Sequence, residues 1–271
     1  MKVLLTGGDG MLATDIRREF APDHEVVVFP RAELDVTDRA ACRARIAEVR
    51  PDVVINAAGM TNVDACESSR EEAFRVNAEG PGNLAAAAAE AGAFVAHYST
   101  DYVFDGSKSE PYVESDPPNP VSAYGRTKLF GEAAAGEQAW IVRSSGLFGP
   151  NGTNFVRTML DLAREHDEIA VVADQRTAPT YVAHLAAATR ELLERPFGVW
   201  HLAAEGDATW AEFAEAIFEE AGLETRVRRI SSAELGRPAQ RPANAVLRSE
   251  KGAPALPHWR EGLRDCLSRI A

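Results

Sequence analysis

Lys2-Val-Leu-Leu-Thr-Gly-Gly-Asp-Gly-Met-Leu-Ala13 opens the chain. Lys2–Thr6 reads as a short buried strand, and Met11–Phe20 follows with helical periodicity. Between them Gly7, Gly10 and Ala13 make a G-x-x-G-x-x-A spacing. Gly7 permits a tight turn, and Gly10 lets the backbone approach a pyrophosphate at the N-terminus of the helix. Ala13 is small enough for close packing of helix on strand. Glycines at this spacing mean little alone; a strand before and a helix after are the context that makes them a dinucleotide-binding turn.

Working outward, strand and helix alternate. Glu25–Phe29 is a second strand, Thr37–Val49 a helix with Asp38 near its start, and Val53–Asn56 a third strand introduced by Pro51. Ser69–Ala91 reads as helix with Gly80-Pro81-Gly82 as a break, Ala93–Tyr98 as strand, Val121–Ala135 as helix and Trp140–Ser145 as strand. Short apolar strands alternating with helices predict an α/β fold, a Rossmann-type doubly wound parallel sheet. Beyond Phe148 the pattern loosens. Asn154–Arg164, Val182–Leu193 and Thr209–Ala221 read as helices, and Ile169–Val172 and Val199–Ala203 as strands. Thr209 with Glu212 three residues on is a capping-box pattern. The proline-rich Arg237–Pro257 reads as an ordered loop. The expected division is a dinucleotide-binding domain over 1–147, with part of 181–204 returning to it, and a smaller, partly interleaved C-terminal lobe over 148–271. A ligand would lie between them, at the carboxyl ends of the strands.

The bulk properties narrow the class. The 271 residues carry a net charge of −12, with no long basic run, which argues against nucleic acid or an anionic membrane as the main partner. Cys42, Cys66 and Cys266 are too widely spaced for a metal site or a disulfide framework, and the six histidines show no ligand-type pairing. No metal is expected. No signal-peptide pattern or bilayer-length apolar run occurs, and a cytoplasmic protein is expected.

Three further stretches carry chemistry. The second strand ends in Phe29-Pro30-Arg31, where an NAD-selective site usually has an acidic residue. Arg31 could pair with a 2′-phosphate, so NADPH is expected, with NADH possible because Glu33 and Asp35 lie close behind. Asn56-Ala57-Ala58-Gly59 is small enough to lie against a cofactor. Tyr98-Ser-Thr-Asp-Tyr-Val-Phe-Asp105 ends a strand in hydroxyls, among them Thr100, which can hydrogen-bond a carbonyl. Tyr124 and Lys128 stand four apart on a predicted helix, hence on one face. An ammonium there favours the phenolate and would lower the Tyr124 pKa, making the pair a proton donor for a carbonyl/alcohol interconversion.

These stretches together resemble an extended short-chain dehydrogenase/reductase, and more narrowly the dTDP-4-dehydrorhamnose reductase family. The likeness runs through Ser99-Thr-Asp-Tyr-Val-Phe-Asp-Gly106, Tyr124-Gly-Arg-Thr-Lys128, Arg143-Ser-Ser, Asn154-Phe155, Asp174-Gln-Arg-Thr-Ala-Pro-Thr180 and Arg241-Pro-Ala-Asn244. It implies NAD(P)H-dependent reduction of a 4-keto group on a nucleotide-linked 6-deoxyhexose. The resemblance implies Tyr124 as acid, Lys128 as its partner and Thr100 beside them. It implies a cofactor site from Gly7, Gly10, Met11, Leu12, Arg31, Asp35, Val36, Ala57, Ala58, Gly59, Met60, Thr61 and Tyr98, with Tyr124 and Lys128. The nucleotide sugar would meet Val63, Thr100, Asp101, Tyr102, Tyr124, Gly146, Asn154, Asp174, Gln175 and Thr180.

One departure is chemical. The family usually reads Arg-Thr-Ser-Trp where this chain has Arg143-Ser-Ser-Gly146. Losing that aromatic face removes a stacking platform and opens room for a differently shaped sugar. The exact hexose, not the reaction type, is what Gly146 leaves open, and the first alternative is a 4-ketoreductase for another nucleotide-linked 4-keto-6-deoxyhexose. A redox-neutral nucleotide-sugar enzyme and a non-catalytic NADP-binding regulatory subunit are separate alternatives. A monomer or homodimer is expected.

Overall fold

A computed structural model describes residues 1–270. Five strands come early, β1 (Lys2–Thr6), β2 (Glu25–Phe29), β3 (Val53–Asn56), β4 (Phe94–Thr100) and β5 (Ala139–Ser144), and a sixth, Gly198–His201, comes late. They form one parallel sheet in the order β2-β1-β3-β4-β5, with Gly198–His201 beside β5. β1 is thus flanked by both strands that follow it, Leu4 lying opposite Val27 on one side and Val54 on the other. Successive connections leave β1 in opposite directions, and such a switch point opens a crevice above the carboxyl ends of β1 and β3.

Both faces of the sheet are covered, which is why its strands read as apolar runs rather than as an alternation. Leu4, Val54, Val95 and Ile141 pack with Ile46, Leu84 and Ala135 from the helices on one side. Val3, Leu5, Ile55, Ala96 and Val142 pack with Ile16, Val182 and Leu185 on the other.

Helix starts follow local chemistry. Asp38 accepts the Ala41 amide at 3.0 Å, so the second helix begins at Arg39 rather than Thr37. Ser122 caps Ala123–Ala135 through the Gly125 amide, and Asn154 caps Phe155–Ala163 through the Arg157 amide. The Thr209–Glu212 box is closed in both directions, at 3.1 and 2.8 Å; such a cap is worth about 1 kcal/mol. The predicted break at Gly80-Pro81-Gly82 is displaced. Pro81 sits in the first turn of Gly80–Ala91, where a missing N–H costs nothing. The irregularity lies just before it, a widened π turn over Arg75–Glu79.

The C-terminal part adds a second small sheet of Glu168–Val172 and Arg226–Ile230, and a last helix, Trp259–Ile270. Neither Arg226–Ile230 nor that helix is anticipated above; Arg226-Val-Arg-Arg-Ile230 is too charged to announce a strand. Arg237–Pro257 is mostly loop, pinned by bridges from Leu247 to Tyr112 and from Asn244 to Arg176. Among the described residues no helix is long and apolar enough to cross a membrane.

Candidate active site

A cleft of about 580 Å³ opens over the switch point. Its floor is the turn after β1. Gly7 has φ +70°, and a Cβ there would stand 2.8 Å from the backbone of Ala57 and Ala58. Only glycine lets the two strand ends meet this closely. Gly10 precedes the helix α1 (Met11–Phe20) with no side-chain cap, so the first amides of α1 are left to a ligand. Gly10, Met11 and Leu12 line the cleft, facing Ala57, Ala58, Gly59, Thr61 and Val63 from the end of β3. The helix end and the cradle that no Cβ could share fit a pyrophosphate.

The other wall comes from β4, β5 and the helix Ala123–Ala135. Tyr98, Thr100, Asp101, Tyr102, Tyr124 and Lys128 all line the same cleft. The helix comes close because Gly125 and Gly131 have no side chains; a Cβ at either would lie 2.1 Å from the carbonyl oxygen of Tyr102 or Asn77. The Tyr124 ring stands edge-on to Tyr102, centroids 5.6 Å apart. Gly146, Asn154 and Gln175 line the far side, together with Arg176, Thr177, Trp210, Pro242 and Ala245.

The electrostatics differ from the simple i, i+4 expectation. Burial pushes the Tyr124 phenol up, the neighbouring Thr100 hydroxyl offsets part of this, and Asp101 pushes it further up. Lys128 Nζ makes its hydrogen bonds to the Tyr98 carbonyl and to His97 Nε2 instead of the phenol. Burial brings Lys128 down to about 8, opposed by Glu132. The expected lowering of Tyr124 by Lys128 is not what governs the phenol: its own burial does, and burial of Lys128 weakens the ammonium beside it. Asp101 is raised to about 7 by burial, against hydrogen bonds from Thr100 (2.8 Å) and Ser145 (2.9 Å).

Several expected site residues lie off the cleft wall. Arg31 is exposed and loosely paired with Asp35 and Glu72, at 3.9 and 3.7 Å. Asp35 holds the turn by accepting the Thr37 amide and hydroxyl, and Val36 is buried. Met60 is fixed by Asn77, which accepts its amide at 2.8 Å and donates to its carbonyl at 3.0 Å. Asp174 and Thr180, placed above at the sugar, have structural partners instead. Asp174 accepts the amide and hydroxyl of Ser232, and Thr180 is fully buried between the Ala178 carbonyl and the Ala204 amide. Conversely, Asn77 and Trp210 are not singled out in the sequence reading, and Ser145 and Thr177 enter it only inside quoted stretches, with no site role. Asn77 stands in a charged helical stretch, Arg75-Val-Asn-Ala-Glu79, and nothing in its sequence neighbours marks it.

Comparison with known proteins agrees with this geometry. The family described as RmlD substrate binding domain matches residues 1–271. The chain is 43% identical to a dTDP-4-dehydrorhamnose reductase of Burkholderia thailandensis, over 98% of each chain. It superposes with a TM-score of 0.96 on a dTDP-4-dehydrorhamnose reductase of Clostridium acetobutylicum, at 39% identity over 99% of each chain. The same TM-score, 0.96, relates it to the enzyme of Bacillus anthracis in complex with NADP, at 35% identity over 98% of each chain.

Proposed function

We infer that this chain, which belongs to the dTDP-4-dehydrorhamnose reductase family, reduces the 4-keto group of dTDP-4-dehydro-L-rhamnose to give dTDP-L-rhamnose, using NADPH. The observation that carries the reading is the meeting of Tyr124, Thr100 and Lys128 with the uncapped end of α1 in one cleft. NADPH, when bound, supplies the hydride for C4. The amides of Gly10, Met11 and Leu12 hold its pyrophosphate, and Ala57, Ala58, Gly59, Met60 and Thr61 form the bed beside it. Arg31, exposed after β2, meets the 2′-phosphate, with Asp35 and Val36 on the adenine side. Residues 1–147, with part of 181–204, serve the cofactor, and 148–271 serve the sugar.

Tyr124 gives its proton to O4. Burial keeps the phenol protonated at neutral pH, so the proton is present when an alkoxide develops on the substrate. The Thr100 hydroxyl, which donates to Asp101 in the free chain, turns its proton to the substrate carbonyl, and Lys128 steadies the phenolate that remains. Tyr102, Val63, Asn154 and Gln175 bound the space for the nucleotide sugar. Tyr124→Phe keeps the ring and removes the acid. The expected result is a fall in kcat of about 10²–10⁴-fold with NADPH binding unchanged. A Tyr124→Phe variant that oxidises NADPH at the wild-type rate with dTDP-4-dehydro-L-rhamnose refutes the mechanism.

Gly146 favours a second reading, a 4-ketoreductase for a differently shaped nucleotide-linked 4-keto-6-deoxyhexose. The residue has φ +54°, and a Cβ would lie 3.1 Å from Thr177 Oγ1 and 3.3 Å from Pro179 Cα. The positive φ and these tight approaches strain any larger residue at this position, and no aromatic face stands here toward the sugar. A panel of nucleotide-linked 4-keto-6-deoxyhexoses, followed by NADPH absorbance and product stereochemistry, separates the two readings.

A further inference from the structure

Behind Lys128 runs a line of buried polar groups that the reaction above does not use. Thr6, Asn56 and His97 are all 0% exposed. Thr6 Oγ1 donates to Asn56 Oδ1 at 2.8 Å, and the Ala58 amide donates to the same oxygen at 3.1 Å. A backbone N–H can only donate, so the Asn56 oxygen must face it and the Asn56 amino group must face away. That amino group meets His97 Nδ1 at 3.0 Å. Nδ1 is therefore an acceptor. A neutral imidazole carries one proton, and here it is on Nε2. Nε2 in turn faces Lys128 Nζ at 3.4 Å. Against an ammonium this is donor against donor; against a neutral amine it is a donor meeting a lone pair.

We propose that His97 is a positioning residue which, locked by Asn56 with its proton on Nε2, fixes the Lys128 nitrogen and lowers its affinity for the proton, so that the ammonium which steadies the Tyr124 phenolate keeps only the Tyr98 carbonyl as acceptor. The line ends at buried Thr6, so it holds a proton in place and conducts none to solvent. Burial also pushes His97 well below its ordinary pKa, with Lys128 adding to this, so the ring stays singly protonated. The other titratable groups facing Lys128 stand one helical turn away on its own helix, Tyr124 before and Glu132 after. Glu132 is taken up by Arg143 from β5, through contacts of 2.9 and 2.7 Å, and accepts the Ser99 hydroxyl from β4. Arg143 shares that charge, which still acts to raise Lys128, and His97 is the side chain in contact with the Lys128 nitrogen. The proposal rests on the reading above only in taking Lys128 as the partner of Tyr124.

Two measurements test it. In the whole chain with ¹⁵N-labelled histidine, His97 should show an unprotonated Nδ1 and a protonated Nε2 from about pH 6 to about pH 9. A proton on Nδ1 overturns the proposal. His97→Gln can turn its amide oxygen toward Lys128 and accept from the ammonium. The alkaline limb of kcat/KM should then move up by about one pH unit, a tenfold gain in proton affinity, with KM for the nucleotide sugar nearly unchanged. A folded variant whose limb coincides with wild type also overturns it, and if the variant does not fold the wild-type spectrum decides alone. The spectrum needs no sugar. A chain with the expected tautomer and no ketoreductase activity therefore sinks the functional reading and leaves this one standing.

Discussion

Asp101 is 3% exposed, and burial lifts its carboxyl to about 7 from an ordinary value of 3.8. Between those two pH values the folded chain binds a proton that the unfolded chain has released. The contribution of Asp101 to stability is therefore greatest at low pH and falls as pH rises from about 4 to about 7, by on the order of 4 kcal/mol. Whole-protein curves mix this with Asp35, Asp64 and Asp174, all lowered and acting in the opposite direction. The measurement is accordingly a difference: urea unfolding of wild type and Asp101→Asn at several pH values. Wild type should lose ground to the variant across that window, and a difference independent of pH refutes the assignment. At this scale the sequence brought out Thr100, Tyr124 and Lys128, which line one cleft, but misjudged the electrostatics of the last two. Spacing shows that Tyr124 and Lys128 share a helix face; it cannot show that both are desolvated, or that Lys128 turns to His97.

The helix Ala123–Ala135 was legible as an element, read over Val121–Ala135, two residues before the start that Ser122 caps. What it packs against was not. Gly131 lets it press on the π turn Arg75–Glu79, where Asn77 holds Met60 and receives no competition from a Cβ. Gly131→Ala would gain helix propensity of roughly 1 kcal/mol but drive its methyl to 2.1 Å from the Asn77 carbonyl, a rigid backbone atom. Overpacking of this kind costs about 1–3 kcal/mol. The net expectation is a lower urea midpoint with a reduced kcat, because Tyr124 and Lys128 ride on the displaced helix. An unchanged midpoint would show that the two elements separate freely. The π turn itself leaves no mark in the sequence, since one extra residue per turn changes neither composition nor capping.

Over the whole molecule, the two walls of the cleft are tied at one point outside it. Asp64, from the helix Val63–Ser68 beside the cofactor side, accepts Arg241 at 3.1 and 2.9 Å, the Ala239 amide at 3.0 Å and Arg237 at 3.4 Å. Pro242 and Ala245, just beyond, line the cleft. Asp64→Asn should weaken this tie by about 1–3 kcal/mol. The expected outcome is faster amide exchange over 237–245 and a higher KM for the nucleotide sugar, with NADPH binding unchanged. Exchange rates equal to wild type would mean the loop is held by its other contacts.

The sequence by itself determined the sheet strands, the glycine turn after the first of them, and the helix that carries Tyr124 and Lys128. Each is written locally, in apolar runs, capping residues and a glycine spacing that act within a few residues of themselves. Only the tertiary structure decided the strand order that puts the switch point between β1 and β3 and the removal of Asp174 and Thr180 from the cleft. It alone also set the line Thr6–Asn56–His97 behind Lys128. Those depend on which distant side chains share a desolvated space, where the direction of one backbone N–H fixes the proton on a histidine 39 residues further along, from Ala58 to His97.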